Sequence, residues 1–436
     1  MASTGIALAG PAALPRGKEA AGSPAWRWVA SLYFAEGLPA TVLLSLSAIV
    51  LKQIGTPNAR VAAYVSLLLL PGILRPLWSP LLEMFATKRS IILGTEAAIA
   101  IGFGVVSAAL LADAPASAFA LLFAGIAIAA ATHDMAADGL FVTSLPPETL
   151  VRYVGWLSVP FHAARFLGQG LVVVFAGFLE TRTSARCAWG VAFLALAAVV
   201  AALAWHHSRS LPGEARTPAR PESAAEMGSR FLEIARSFFR KHDVAWLIAL
   251  IVSYRVVEGQ LARIMPLFLL DPRDQGGLAL GTAEIGVFYG VAGVCAFIGG
   301  ALLGGALAGR LGKRRAIVLL CIAYNLPAVL CTLLAVAQPQ SSTIVGIAIA
   351  TEQVALGIGF VGLKLATLSA AEGPYETAHC AFAGALAGLS AAAAGIVSGT
   401  LQTTLGYRGF FALAIVAAAL PLFAAYQSSK KESAHD

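Results

Sequence analysis

Residues 116–144 read ASAFALLFAGIAIAAATHDMAADGLFVTS. A helix that crosses a bilayer needs about 20 mostly apolar residues, and this run is long enough. Three ionisable residues, His133, Asp134 and Asp138, nevertheless lie in its second half. The stretch therefore predicts a membrane-spanning helix whose charged groups are shielded from lipid.

The rest of the chain has the same apolar character. Of its 436 residues, 58% are hydrophobic and 12% are charged, and the mean hydropathy is +0.79. Ordinary soluble domains are about 45–50% apolar and about 25% charged, because a surface that faces water needs charge. The composition excludes an ordinary soluble protein and indicates that lipid is the solvent.

Further apolar runs of similar length fill the sequence, and most connections between them are short. The exception, 206–243, is polar and separates six runs from six. We predict an all-α membrane protein with 12 transmembrane helices in two six-helix bundles. The predicted spans 1 to 12 cover 27–51, 60–82, 91–112, 116–144, 153–179, 187–205, 244–270, 283–307, 316–337, 341–369, 377–401 and 408–426.

The long polar connection has a pattern of its own. Over 227–241, phenylalanines and Ile234 alternate with arginines, which predicts an amphipathic helix on the membrane surface, with a solvated linker as the alternative. The predicted parts of the chain are a disordered cytoplasmic tail at 1–25, an N-terminal bundle at 26–205, a cytoplasmic linker at 206–243, a C-terminal bundle at 244–427 and a cytoplasmic tail at 428–436.

Lysines and arginines are distributed unevenly between the two sides of this arrangement. The segments on the side of the termini hold 19 of the 30, the segments on the other side hold 6, and the remainder lie inside spans. Basic residues accumulate on the cytoplasmic side of membrane proteins. The pattern predicts a multi-pass protein of the cell inner membrane with both termini cytoplasmic, and it explains the net charge of +7 without nucleic acid.

The two halves also repeat each other at a nearly constant spacing. SLYFAEG at 31–37 aligns with SYRVVEG at 253–259, an offset of 222, and ATHD at 131–134 aligns with ATEQ at 350–353, an offset of 219. Two parallel six-helix repeats are typical of transporters that rock around a site near the middle of the membrane.

The segment GALAGRLGKR at 305–314 resembles the loop signature between helices 2 and 3 of major facilitator transporters, with a decayed counterpart at 79–88. The resemblance implies that these loops latch cytoplasmic helix ends, although Gly309 replaces the usual acid. It also implies that spans 1, 4, 7 and 10 line a central cavity. The implied latch residues are Glu83, Lys88, Arg89, Arg310 and Arg314.

Several motifs in spans 1, 2 and 4 resemble the AmpG-type, or muropeptide-permease, branch of that family. They are YFAEGLP at 33–39, LWSPLLE at 77–83, TKR at 87–89 and ATHDMAADG at 131–139. The resemblance implies proton-driven import of muropeptides or other saccharide-containing solutes, and relatives of the branch include siderophore permeases.

Thirteen ionisable residues lie inside the spans, and nine of them belong to spans 1, 4, 7 and 10. Each would cost about 2.5–3.5 kcal/mol in the centre of a bilayer, so we expect them to face a cavity or a partner. Asp134 and Asp138 share one helix face and are candidates for proton coupling, with Glu36 and His133 as further candidates. The alternative is a structural cluster in which Asp138 pairs with Arg75 or Arg165.

A second set of polar residues is predicted to line the cavity and contact the solute. Arginines there offer forked donors to carboxylate or sugar oxygens, although Arg255 and Glu258, at i and i+3, are also placed to pair with each other. The cavity candidates are Tyr33, Glu36, Arg165, Gln169, Arg255, Glu258, Arg263, Glu352 and Gln353.

The sequence thus predicts a proton-coupled importer of a polar organic solute, a muropeptide or saccharide, working as a monomer with no cofactor or metal. The five cysteines lie in apolar runs without metal-type pairing. Open alternatives are proton-coupled export of drugs or metabolites, siderophore import, and a channel or receptor. An enzyme using His133, Asp134 and Asp138 is disfavoured, because no nucleophile motif accompanies them.

Overall fold

The computed structural model describes residues 25–75, 78, 86–145, 158–213, 224–241, 244–371 and 376–432. These residues form helices and short connections, and ten of the segments are long and apolar enough to cross a membrane. In chain order the helices are α1 Val29–Gln53, α2 Asn58–Leu74, α3 Lys88–Leu111, α4 Ala116–Ser144, α5 Val159–Glu180, α6 Ala185–Ser210, α7 Val244–Leu270, α8 Thr282–Leu311, α9 Arg315–Ala337, α10 Ser342–Thr367, and α11 and α12 within His379–Gln427.

The last of these segments contains two crossings. Gly406 has φ +67° and ψ 172°, so the helical conformation is interrupted there and separates α11 from α12. A positive φ favours glycine, because other residues carry a Cβ that clashes. Together with the shorter α2, the described residues hold the twelve predicted helices, and the all-α membrane fold is confirmed.

The repeat that relates the two halves corresponds to the same helix contact in each. Gly37 of α1 packs against α5, where an added Cβ would lie 2.8 Å from the Phe161 carbonyl oxygen. Gly259 of α7 packs against α11, where a Cβ would lie 2.8 Å from the backbone of Ala391. Both positions require glycine because two backbones approach each other there.

We call the face where α1 begins and α6 ends the linker face, and the other the opposite face. Between the halves, α2 packs on α11 and α5 packs on α8. In the second contact, two π-helical segments, Phe166–Val172 and Gly286–Ala292, lie against each other. A Cβ on Gly290 would run into the backbone of Gln169, so this crossing is a backbone contact.

A polar group of Lys52, Asn58, Asp271, Gln402 and Tyr407, the opposite-face cluster, joins the halves at that face. Asp271 pairs with Lys52, and the Tyr407 hydroxyl donates to it at 2.5 Å. The Asn58 amide nitrogen lies 2.8 Å from Asp271 and 3.0 Å from Gln402. Because Asp271 is only 2% exposed, the structure is closed at the opposite face.

The amphipathic helix predicted over 227–241 lies at Ala224–Phe239. Phe238 near its end is fully buried, and its ring contacts those of His379 and Phe382 at the start of α11. The Ser237 hydroxyl lies 2.8 Å from His379 Nε2. This linker helix therefore docks on the C-terminal bundle through one edge, and its position on a membrane surface stays a prediction.

Candidate functional site

The first group of predicted site residues lies in the N-terminal half, on α1, α2 and α4. Arg75 Nη1 binds Asp134 Oδ2 at 2.6 Å, and the Tyr33 hydroxyl donates to Asp138 Oδ1 at 3.1 Å. Glu36 lies beside both aspartates, and its buried Oε2 has no hydrogen-bond partner among the described residues. We call Tyr33, Glu36, Arg75, Asp134 and Asp138 the acidic cluster.

The acidic cluster holds three carboxyl groups and one guanidinium. Arg75 and Asp134 keep 36% and 31% exposure, so this pair is not sealed inside the bundle. The sequence left open a structural cluster in which Arg75 or Arg165 pairs with Asp138. In the structure Arg75 pairs with Asp134. A group of carboxyls that water can reach, with too few cations to balance them, is suited to binding a proton.

His133 takes no part in the acidic cluster. It is 1% exposed, and its Nε2 lies 3.3 Å from Glu96 Oε1, the oxygen that His207 Nδ1 contacts at 2.6 Å. His207 Nε2 lies 2.9 Å from the Ser31 hydroxyl, which donates its own proton to the Trp28 carbonyl. Both nitrogens of His207 thus have polar partners, which joins α6 to α3 and α1.

Sequence reasoning missed this network because His207 lies beyond the predicted end of span 6. Glu96 is one of the thirteen ionisable residues inside the predicted spans, and the structure shows that it joins α3 to α4 and α6. Because His133 precedes Asp134 on α4, the network also holds the helix that carries two residues of the acidic cluster.

The second group of predicted residues surrounds a pocket in the C-terminal half. Glu258 of α7 and Glu352 of α10 line it together with Tyr289 and Tyr324, two residues that the sequence did not single out. Arg255 Nη1 lies 2.5 Å from Glu258 Oε2, so the predicted i, i+3 pair is present. We call this space the central pocket.

Amide groups connect the central pocket to the N-terminal half. Gln353 donates to Glu352 at 2.8 Å. Arg165 Nε donates to Gln169 Oε1 at 3.1 Å, and Gln169 in turn donates to the Tyr289 carbonyl at 3.3 Å across the α5–α8 contact. Arg165 and Gln169, predicted on one face of span 5, therefore reach a site built mainly by the other half.

Arg263 is a residue of the C-terminal half that contacts the N-terminal half. It belongs to α7, and its Nε donates to the Ser66 hydroxyl of α2 at 3.3 Å. Of the predicted cavity residues, Glu258 and Glu352 line the central pocket, Arg255 and Gln353 contact these two, and Tyr33 and Glu36 lie in the acidic cluster.

The predicted latch is described only in part. Arg89 donates to the Ser208 carbonyl at 2.5 Å, which ties the start of α3 to the end of α6. The stem of Lys88 lies against Gly139, and Arg310 is exposed. Glu83 and the side chain of Arg314 lie outside the described residues, so the latch stays a prediction.

Several solved structures have a similar fold. A nucleoside transporter, NupG, matches at 12% identity with a TM-score of 0.68, covering 93% of this chain and 98% of that one. A bacterial homologue of the human drug peptide transporters PepT1 and PepT2 matches at 12% identity and 0.70, over 94% and 99%. A D-xylose–proton symporter matches at 13% identity and 0.66, over 92% and 96%.

At such identities these matches show the fold alone. The sequence model described as Major Facilitator Superfamily matches residues 29–379, which is most of the chain. This match and the twelve-helix fold agree with a transporter and not with an enzyme. The chain belongs to the Major Facilitator Superfamily.

Proposed function

We propose that this transporter couples the import of a polar organic solute to protons by alternating access. The observation that carries the proposal is the acidic cluster, in which Glu36, Asp134 and Asp138 share one guanidinium inside a membrane bundle. Ionisable groups at this depth are costly and are retained where protons or ions pass.

The Arg75–Asp134 ion pair gives the proton a structural effect. The pair joins α2 to α4 while Asp134 is ionised, and Glu36 lies beside it. A proton on Asp134 neutralises the carboxylate and releases Arg75. Asp138, held by Tyr33 of α1, provides a second acceptor on the same face of α4. Proton binding is thereby linked to the packing of α1, α2 and α4.

The proposed class of solute rests on the central pocket and on the resemblance of spans 1, 2 and 4 to the muropeptide-permease branch. Tyrosines and carboxylates line this pocket, and the Arg255 guanidinium pairs with Glu258 beside it, which suits a polar solute with several hydrogen-bonding groups. Two of the solved structures of similar fold are described as a nucleoside transporter and a D-xylose–proton symporter, which also handle polar solutes. A muropeptide or saccharide is the class we propose.

With both termini cytoplasmic, as the basic residues predict, the structure is closed on the outside. Import then requires opening of the opposite-face cluster, entry of solute and proton, and return to the present state. The protein is proposed to do this as a monomer.

The test is uptake by purified protein in lipid vesicles. Radiolabelled N-acetylglucosaminyl-anhydro-N-acetylmuramate, D-xylose and uridine serve as probes, with an inward proton gradient imposed. We expect one probe class to accumulate, and a protonophore and Asp138→Asn each to abolish the accumulation. Accumulation that survives both treatments would contradict proton coupling through this cluster.

A further inference from the structure

One side of α6 is exposed from Val191 to the end of the helix, and its chemistry changes at the linker face. The exposed positions 191, 194, 198, 201, 205 and 209 follow the helical repeat of 3.6 residues, so they share one side. Up to Ala202 the exposed residues on this side are apolar. It then carries Trp205, which is 64% exposed, and ends in the exposed Arg209. In a membrane-spanning helix such a side meets lipid.

Trp205 and Arg209 form a stacked pair at the end of this side. The guanidinium carbon of Arg209 lies 3.9 Å from the centre of the Trp205 ring, and its Nη1 donates to the Trp205 carbonyl at 3.2 Å. Tryptophan is enriched where a bilayer meets water, because its ring is apolar and its N–H is polar. The pair therefore holds a cation at the depth where acyl chains give way to headgroups.

Arg89, near the start of α3, brings a second guanidinium group to the same turn. It donates to the Ser208 carbonyl at 2.5 Å. The carbonyls of Ser208 and Trp205 are three residues apart, which is about 4.5 Å along the helix axis. Arg27, just before α1, adjoins them, because His206 Nε2 lies 2.9 Å from its carbonyl oxygen. We call Arg27, Arg89, Trp205 and Arg209 the α6-end patch.

The charges of Arg89 and Arg209 are not balanced by their neighbours. Neither pairs with a carboxylate among the residues that the structure describes, whereas Arg186 at the other end of α6 binds Asp113 at 3.1 Å. The carbonyls at a helix end attract cations, but they amount to only about half a negative charge against two positive ones. A guanidinium group has five N–H donors, so most of these donors stay available at the surface.

Small residues form the surface beside the patch. The contacts of Arg89 with Ser208 and of Ser107 with Gly190 set α3 and α6 antiparallel, so 94–98 lies beside 198–202. The exposed residues of these two segments are glycine and alanines, namely Gly94, Ala97, Ala98, Ala198, Ala201 and Ala202. The surface between the helices is therefore low and apolar, which suits acyl chains that lie along it.

We propose that the α6-end patch binds an anionic phospholipid, with its phosphate on Arg89 and Arg209 and its acyl chains along α3 and α6. The forked guanidinium group matches phosphate oxygens, and basic groups at the membrane surface attract anionic lipids. A lipid fits better than a soluble anion, because the two cations end a side of α6 that faces acyl chains. This binding is independent of the proposed transport function.

The test uses the full chain in phosphatidylcholine vesicles with a minor fraction of brominated phosphatidylglycerol or, with the same chains, brominated phosphatidylethanolamine. Bromine quenches the fluorescence of a nearby indole, and subtraction of the Trp205→Phe variant isolates the signal of Trp205. We expect phosphatidylglycerol to be preferred at this site at least about tenfold, since each basic group near an anionic headgroup contributes about fivefold.

Substitutions assign the preference to the patch. Arg89→Gln/Arg209→Gln should abolish it, and Arg89→Lys/Arg209→Lys should keep most of it because the charges remain. The matched control is Arg182→Gln/Arg236→Gln, which also removes two exposed charges. Arg182 lies over the Phe178 ring near the opposite face, and Arg236 belongs to the linker helix, so the preference should not change.

Equal quenching by the two brominated lipids in the wild type overturns the inference. So does a preference that survives the glutamine pair, or an equal loss in the control. Excess inorganic phosphate at constant ionic strength should leave the preference intact, and its loss there would show a site for a free anion instead. If the glutamine pair does not fold, Arg209→Gln alone, at an exposed position, should lower the preference about fivefold, and an unchanged preference contradicts the proposal.

Discussion

The two halves of the molecule share one repeat but carry different charges at its matching positions. Tyr33 and Glu36 of α1 correspond to Arg255 and Glu258 of α7. In the N-terminal half the pair meets two aspartates of α4, whereas in the C-terminal half Glu258 is neutralised by Arg255. One half has surplus acid, and in the other Arg255 and Arg263 match Glu258 and Glu352 in number.

The glycines next to these residues have not diverged. Gly37 and Gly259 both let a helix backbone touch its neighbour, so a side chain at either position would separate the helices. The comparison shows that the backbone contacts at Gly37 and Gly259 preserve the repeat. Nearby side chains, such as Tyr33 and its counterpart Arg255, can differ in charge between the halves. We infer a division of labour, with protons in the acidic cluster and solute in the central pocket.

Asp134→Asn should break this division most severely. The variant removes one carboxylate of the acidic cluster and the partner of Arg75, so a gradient of two pH units should no longer drive the roughly 100-fold accumulation that one coupled proton allows. Exchange of solute across the vesicle membrane should persist, because the central pocket is intact. Uptake and exchange assays in vesicles measure the two activities separately.

Loss of folding would mimic loss of coupling in this variant. The double variant Arg75→Gln/Asp134→Asn removes both charges, leaves no unpaired cation and should also exchange without accumulating. Accumulation by either variant at the wild-type level would contradict the role of the acidic cluster.

Asp271→Asn should open the closed face. The substitution removes the acceptor of Lys52 and Tyr407, and breaking a buried ion pair costs about 3–5 kcal/mol. Ala62→Cys, at a buried position of the α2–α11 contact, reports opening through its reaction with a membrane-impermeant maleimide. We expect labelling at least about tenfold faster, since each 1.4 kcal/mol corresponds to tenfold.

Asp274→Asn in the same connection is the matched control for this experiment, because Asp274 is exposed. It should leave the labelling rate unchanged. Equal rates in the two asparagine variants would show that the opposite-face cluster does not hold the halves together.

Gly290→Val should separate α5 from α8. A side chain there meets the Gln169 backbone, and overpacking of this kind costs about 1–3 kcal/mol. The Ala62→Cys reporter should again react faster, and the melting temperature should fall. Gly299→Val on the same helix is the control, since a Cβ there contacts nothing within 4 Å. Similar effects of both valines would point to helix propensity instead.

Tyr324→Phe is expected to have the smallest effect. It removes one hydrogen bond of 3.3 Å from Arg255 in the central pocket. The bond is long and Arg255 keeps its ion pair with Glu258, so we assign the bond about 0.5–1.5 kcal/mol, and solute affinity should fall by about 2- to 12-fold. Proton dependence of uptake should stay as in the wild type, which separates this half from the acidic cluster. A change in proton dependence, measured by uptake at several external pH values, would contradict the assignment of protons to the acidic cluster and of solute to the central pocket.

Much of the fold was predictable because span length and apolarity are direct physical requirements of lipid. The residues of the site were predictable in kind, since charges such as Glu36 and Arg263 are too costly inside a span without a role. Their partners were not, because pairing depends on helix rotation, and the structure joins Arg75 to Asp134 where the sequence suggested Asp138.

The opposite-face cluster could not be foreseen at all. Lys52, Asn58 and Asp271 lie at span ends, where polar residues are ordinary, and the partners are more than 200 residues apart. Phe238 belongs to the amphipathic pattern predicted for the membrane surface, and the structure packs its ring on α11. An amphipathic pattern identifies an apolar face but not what covers it.

The most direct test of the division between the halves is to record the internal pH of vesicles, with a trapped pH-sensitive dye, while a transported solute is added outside without a gradient. Wild-type protein should acidify the interior. Asp134→Asn should exchange labelled solute with no acidification, and Glu352→Gln, in the lining of the central pocket, should show neither at the same solute concentration. Solute-evoked acidification by Asp134→Asn at the wild-type rate would contradict the account.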